Sequence, residues 1–291
     1  MFPVLFTLPD WIPFLGGQPI TTFGVMMFFS FVTAGLIARS EMRRLGLDEE
    51  KAWDLLFMAV VGGIIGAKMY YVFLNYDQLQ AQGFSYIFNR GGMVWYGGFA
   101  LAAILVLWEA KKSNLHVPTI ADVGAPALAL AYAVGRLGCF LVGDDYGRPT
   151  DSWVGIAFPN GSPPSTVESL RRFGIEPDPA LIERFGNVLP VHPTQLYEVA
   201  MSLVIFFILW RMRTTQRAAG WLFMAWLAMA GVERFVVEIF RAKDDRFFGA
   251  LTLAQMISIG LIVAGIWGLM HLKGRPPTPP ASKKRARAKA R

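Results

Sequence analysis

Seven stretches of this chain are apolar for long enough to cross a bilayer, near residues 23–38, 53–74, 93–109, 118–137, 194–210, 220–240 and 250–270. A hydrocarbon core about 30 Å thick needs about 20 mostly apolar residues in helical form. The pattern predicts an all-α polytopic membrane protein with about seven transmembrane helices. Gly and Pro interrupt the third and fourth stretches, which membrane helices tolerate. The sizeable polar piece between stretches, 139–190, is rich in Pro, Gly and Asp and holds a strand-like run at 153–158. It predicts a small non-cytoplasmic head between spans four and five. Residues 1–22 lack a basic n-region and are broken by Pro and Gly, so the expectation is an irregular interfacial lead-in and no cleavable signal peptide. The connection 75–92 places Tyr76, Phe84, Tyr86 and Phe88 among polar residues, as suits a segment in the headgroup layer.

Basic residues set the expected orientation. Short connections on one side carry Arg39, Arg43, Arg44, Lys51, Lys111, Lys112, Arg211, Arg213 and Arg217, and the tail adds more. Short connections on the other side carry Arg90, Arg241, Lys243 and Arg246. Short-loop Lys and Arg favour the cytoplasm, which places the N-terminus outside and the C-terminus inside. The expected division is an integral membrane domain over 1–272, with 139–190 as its inserted head, and a basic, disordered cytoplasmic tail over 273–291.

Composition agrees, with 54% of residues hydrophobic and 17% charged, against about a quarter charged in soluble domains. The net charge of +7 lies partly in the tail, which is drawn to anionic lipid; no nucleic-acid partner is expected. A lone cysteine, Cys139, excludes an internal disulfide. Three scattered histidines and no zinc spacing give no expected metal site. The run from Gly62 to Lys68 lacks the Gly-Lys-Ser/Thr ending of a phosphate loop, so no nucleotide cofactor is expected.

The costly polar residues gather at the outer ends of the spans. Arg136 leaves the fourth, and Arg234, Glu238 and Arg241 end the sixth. Gln195 and Glu198 start the fifth, while Tyr96, Gly97 and Gly98 enter the third. Charges inside a membrane are expensive and mark function by default. Two guanidiniums at one level suggest a phosphate-bearing ligand, because the planar fork matches phosphate bidentately. Arg234 and Glu238 are spaced i, i+4 and can pair. Pro193 suits a first helical position, with His192 as N-cap. Gly97 and Gly98 would let a lipid or another helix approach the backbone closely.

The strings GRLGCFLVGDDYGRP at 135–149, HPTQLYE at 192–198 and ERFVVEIFR at 233–241 together resemble the prolipoprotein diacylglyceryl transferase family. GGMVWYGG at 91–98 and LTLAQMISI at 251–259 add to the likeness, which runs from about Ile20 to Leu269. The resemblance implies a seven-span protein of the bacterial inner membrane with a periplasmic head. It implies transfer of the diacylglyceryl group of phosphatidylglycerol to the lipobox cysteine of prolipoprotein signal peptides, without a cofactor. It casts Arg136 and Arg234 as phosphate-binding, transition-state-stabilising residues and Glu238 as the residue orienting Arg234. Asp144 aligns where the family commonly has Glu, and Gly147 and Arg148 follow as in its pattern. Gln195 and Glu198 resemble contributors to the polar cavity, with Arg241 beside them. This chain departs from the pattern at Tyr96, where the family often has His, and at Phe23, Lys68 and Cys139. Tyr96 is thus the candidate catalytic residue at the position of the expected base. Two rivals stand beside this reading. A headgroup transferase of the CDP-alcohol type would need an acidic metal motif on the spans, and none is found. A transport or lipid-binding paralogue could keep the arginines and lack the base.

Overall fold

The computed structural model describes residues 1–11, 16–88, 92–215, 217–242, 246–248 and 251–277. An N-terminal hairpin pairs β1 (Val4–Thr7) with β2 (Pro19–Thr21) and leads into helix α1 (Thr22–Leu45). Then come α2 (Lys51–Leu74), the short α3 (Tyr76–Gln82) with a 3₁₀ turn at Gly83–Phe88, α4 (Trp95–Lys112) and α5 (Val117–Val142). The head adds β3 (Ile156–Ala157), α6 (Val167–Arg172), α7 (Pro179–Phe185) and β4 (Pro190–Val191). It is followed by α8 (Thr194–Met212), α9 (Trp221–Phe240), β5 (Arg246–Phe248), β6 (Leu251–Thr252) and α10 (Leu253–Leu272).

All seven apolar stretches fall on the long helices α1, α2, α4, α5, α8, α9 and α10. Of these, α1, α2, α5, α8 and α10 are long and apolar enough to cross a membrane. Only 17–22% of the most apolar windows of α1, α2 and α10 is buried within the protein. Their outer faces, with Phe28, Phe57, Phe73 and Trp267 more than half exposed, need lipid as solvent. Helix α4 ends on Glu109, Lys111 and Lys112, and α9 carries Glu233, Arg234 and Glu238, so both are less apolar. The chain is an all-α polytopic membrane protein.

Three expectations are corrected. The lead-in is not irregular, because its ends pair as a hairpin with Leu8 N–H donating to the Gln18 carbonyl. Helix α5 holds Pro126 in its interior and does not end at 137 but runs on to Val142, so Arg136 stands within a helix. The strand-like run 153–158 shortens to Ile156–Ala157, held antiparallel to Pro190–Val191. The tail from 278 onward, Arg90, Lys243 and the side chain of Phe88 lie outside what is described.

The chain forms two compact units, one over Gly35–Val123 and the other over Met1–Ala34 with Gly124–Thr278. In the first, α2 and α4 pack along small residues. A Cβ on Gly62 would lie 2.7 Å from Ala102 Cα, and one on Gly98 would lie 2.8 Å from the Gly63 carbonyl oxygen. Such seams let helix backbones approach where no hydrophobic force drives them together. Met42, Leu55, Ala110 and Ile120 close the core of that unit.

In the second unit, α9 and α10 meet along Gly231 and Gly265 in the same manner. Thr252 caps α10 in a reciprocal box with Gln255 and donates to Glu238 at 3.2 Å. The head has its own core of Tyr146, Phe158, Leu170, Leu189 and Val191. Tyr146 stacks on Phe158 with centroids 5.5 Å apart and donates to the Pro164 carbonyl at 2.8 Å. This core anchors the loop 143–149.

Candidate functional site

Three segments meet at the arginines: the end of α5 with loop 143–149, the start of α8 and the end of α9. Backbone hydrogen bonds join them. Gly147 N–H donates to the His192 carbonyl at 2.8 Å, His192 N–H to the Arg148 carbonyl at 3.0 Å, and Arg148 N–H to the Phe240 carbonyl at 2.8 Å. Thr194 Oγ1 donates to the Asp145 carbonyl at 2.7 Å, and the Gln195 amide donates to the Asp144 carbonyl. Loop 143–149 can follow this path because Gly143 and Asp145 both take positive φ, 75° and 57°. Gly fits that region freely and Asp is among the few side chains that tolerate it.

On this frame the charged groups form one continuous row. Tyr132, one turn before Arg136 on α5, donates to Glu198 Oε1 at 2.7 Å. Glu198 on α8 pairs through Oε2 with Arg136 Nη2. Arg136 Nη1 donates to Asp145 Oδ2 at 2.9 Å, and Asp145 Oδ1 accepts from Arg241 Nη2 at 2.5 Å. Arg241 Nε lies 3.8 Å from Glu238 Oε2, which pairs with Arg234 Nη2 at 2.5 Å. Arg136 and Arg234 thus sit on different helices and are linked through alternating charges. The row is dry at the glutamates and Arg136, whose side chains are 0% (Glu198), 2% (Glu238) and 11% (Arg136) exposed, and wetter at Arg234 and Asp145, at 31% and 37%. Buried charges persist only when paired. Yet Arg136 Nε and Arg234 Nη1 are buried and make no hydrogen bond among the described residues, and neither does Gln195 Oε1. Donors that are desolvated and unspent mark a place for an anion.

Most sequence-predicted residues gather here: Arg136, Arg234, Glu238, Arg241, Gln195, Glu198, Asp144, Gly147 and Arg148 all belong to this unit. Their parts differ in places from expectation. Asp145, not Asp144, bridges the arginines. Burial raises the pKa of Asp145, but the Arg241 and Arg136 guanidiniums outweigh it and hold the group below the usual carboxylate range. Burial, aided by the charge on Asp145, pushes Asp144 up to about 6. Arg148 donates from Nε to the Arg241 carbonyl at 3.3 Å and lines a cleft in the head with Thr150, Glu176 and Arg184. His192 is not the cap of α8. The N-cap is Pro193, whose carbonyl accepts from Leu196 and Tyr197, while His192 Nδ1 lies 3.0 Å from Tyr197 Oη. Tyr96, Gly97 and Gly98 belong to the other unit, on the first turn of α4. Gly66 and Tyr70 of α2 take the close approach at Gly97 and Gly63 takes it at Gly98, so a neighbouring helix uses these glycines. Tyr96 packs edge-on against Trp95 at 5.5 Å.

Sequence reading missed Tyr132, Ser202 and Glu233. Ser202 on α8 donates to Glu233 on α9 at 2.5 Å, one residue before Arg234. The i−4 spacing of Tyr132 from Arg136 and the charge of Glu233 within an apolar span were the available signals. Cys139 is buried within reach of Arg136, with Nη1 3.3 Å from its Sγ.

The raised pKa of Asp144 gives a thermal prediction. Its unfolded form ionises near 3.8 and its folded form near 6, so stability it contributes at low pH is lost as pH rises through about 6. Asp144→Asn should therefore raise the thermal midpoint at pH 7.5, by the equivalent of about 1–2 kcal/mol. The gain should vanish below about pH 4. Melting both proteins from pH 4 to 8 checks this, and a pH-independent difference would contradict it.

In a helical membrane protein, the buried, unspent N–H groups of Arg136 and Arg234 are donors of the kind that an anion takes. The family model for prolipoprotein diacylglyceryl transferase matches residues 10–271. A phosphatidylglycerol–prolipoprotein diacylglyceryl transferase of Aeromonas salmonicida is 32% identical over 263 residues, covering 86% of this chain and 85% of the relative. One of the same name from Vibrio vulnificus is 33% identical, covering 87% of each chain. A Clostridium tetani protein of that name is 29% identical, covering 92% of this chain and 96% of its own. The chain belongs to the prolipoprotein diacylglyceryl transferase family.

Proposed function

We propose that Arg136 and Arg234 clamp the phosphate of phosphatidylglycerol while its diacylglyceryl group passes to a prolipoprotein cysteine. Family membership makes the chain a transferase in the first step of lipoprotein maturation, with phosphatidylglycerol and lipobox-bearing signal peptides as substrates. This is favoured over a transport or lipid-binding role. The observation that carries the placement is the row of arginines joined through Asp145 and Glu238, with Arg136 Nε and Arg234 Nη1 unspent.

In this reading the cysteine sulfur attacks the glycerol carbon that bears the phosphate ester. The S–C bond forms, the C–O bond breaks, and glycerol phosphate leaves with the added negative charge. Fixed cations lower the barrier because charge grows on the phosphate oxygens as the bond breaks. Glu198 and Glu238 hold the guanidiniums in place. The thiol proton is lost to water, and the Tyr96 hydroxyl is proposed to relay it, giving up its own proton as it takes the one from sulfur. Gln195, with Oε1 buried and unpartnered, faces the polar part of the substrates.

The same proposal places all seven long helices across the bacterial inner membrane, with the N-terminus and head periplasmic and the tail cytoplasmic. The short-loop distribution of Lys and Arg supports it, and the lipid then enters from the outer leaflet.

The test incubates purified protein with phosphatidylglycerol and a lipobox peptide. A diacylglyceryl mass gain on the peptide cysteine is expected, together with its loss in Tyr96→Phe. No gain while lipid binding persists would overturn the catalytic reading. Full activity in Tyr96→Phe would overturn the role of that hydroxyl alone.

A further inference from the structure

The three carboxylates of the arginine row are not equivalent. Glu198 and Glu238 sit on helices, with side chains 0% and 2% exposed. Asp145 sits on the loop at φ 57°, and its side chain is 37% exposed. It accepts from Arg136 Nη1 at 2.9 Å and from Arg241 at 3.3 Å (Nη1) and 2.5 Å (Nη2). Two guanidiniums converging on one small anion is how arginines grip a phosphate.

Charge balance points the same way. Arg136, Arg234 and Arg241 are matched within the row by Asp145, Glu198 and Glu238, and Asp144 and Glu233 stand beside it as further acids. A phosphodiester brings one more negative charge into the same row. Some carboxylate must then yield its donors. Parting Glu198 or Glu238 from its arginine would strand a buried charge. Asp145 is the most exposed of the three carboxylates, so parting it from its arginines strands the least buried charge.

We propose that the Asp145 carboxylate and the substrate phosphate compete for the N–H donors of Arg136 and Arg241, so that Asp145 sets the affinity of the site for phosphate-bearing lipid. This rests on the reading that the arginines hold the phosphate. The competition has a chemical use. The leaving glycerol phosphate carries more charge than the diester it came from, and a tethered carboxylate that reclaims the arginines speeds its release. A role in positioning the arginines would have the opposite consequence, since removing Asp145 would then loosen the clamp and weaken binding.

The experiment measures phosphatidylglycerol binding in phosphatidylcholine nanodiscs, and transfer kinetics, for wild type, Asp145→Asn and Asp145→Ser. Both variants should bind phosphatidylglycerol more tightly, with Kd and KM lowered about five- to tenfold. Glycerol phosphate should inhibit them at correspondingly lower concentrations. A Kd that rises or stays unchanged overturns the competition. Failure of both variants to fold would overturn it equally, because a competitor can be removed without harm to the fold. The two clamp arginines separate this proposal from the one beneath it. Unchanged lipid binding in Arg136→Gln and in Arg234→Gln would sink the phosphate reading itself. Lost binding there, without tightening in Asp145→Asn, would remove only the competition.

Discussion

Replacing Arg136 by glutamine is expected to lower kcat/KM for diacylglyceryl transfer by at least about 10³-fold, because one substitution removes one arm of the proposed phosphate clamp and the link between Glu198 and Asp145. Arg136 joins Glu198 to Asp145. Without it, Glu198 keeps, among the described residues, the Tyr132 hydroxyl as a short contact at 2.7 Å, in a site where its side chain is 0% exposed. Stranding a buried carboxylate in this way typically costs about 3–5 kcal/mol. The catalytic loss must therefore be separated from simple unfolding. The double variant Arg136→Gln with Glu198→Gln removes the stranded charge and should recover much of the thermal stability. It should recover none of the transfer, because the phosphate still lacks its cation. Arg136→Lys keeps the charge but offers one compact ammonium in place of a fork. It should retain lipid binding better than activity. Transfer rates and melting curves for the three variants check this. A double variant that regains activity would show that Arg136 only holds the fold.

Much of this molecule was legible in its sequence, for identifiable reasons. A span of about 20 apolar residues is a strong signal because the bilayer fixes its length, and each of the seven stretches lies on a long helix. The Arg234–Glu238 pair was readable because i, i+4 neighbours share a helix face. Other features depend on tertiary detail that spacing does not carry. Asp144 and Asp145 are adjacent acids that a sequence cannot rank. The left-handed turn at Asp145 decides which of them faces the arginines. The glycines of α4 were equally consistent with a lipid or a helix alongside, and only the packed α2 resolves that. Helix α5 outruns its apolar stretch because Cys139 and Val142 are buried and Phe140 and Leu141 half-buried past Arg136 toward the head. The hairpin before α1 went unseen because strands of four and three residues are too short to show a period.

Gly147→Ala should be nearly as damaging as the loss of Arg136, although it changes no chemical group. The position lies between three segments of the site. Its N–H donates to the His192 carbonyl, and the residue bridges Arg241 across the end of α9. A methyl group there would meet the Phe240 carbonyl oxygen, and would lie 2.8 Å from His192 Cβ and 2.9 Å from Thr194 Cγ2. Two of these neighbours are backbone or Cβ atoms that cannot swing aside by changing rotamer. The loop must therefore move away from α8 and α9, at a cost of about 1–3 kcal/mol. Asp145, two residues earlier, moves with it, and so do the donors it aligns on Arg136 and Arg241. A displacement of about 1 Å is enough to lower a rate about 10²-fold where reacting groups must be held in register. The expected result is a thermal midpoint lowered by several degrees and transfer reduced about 10²-fold, with kcat affected more than KM. Gly147→Ala with transfer and melting both at wild-type levels would mean that the three segments are not rigidly joined at this point. The arginines would then have to be positioned by the helices alone.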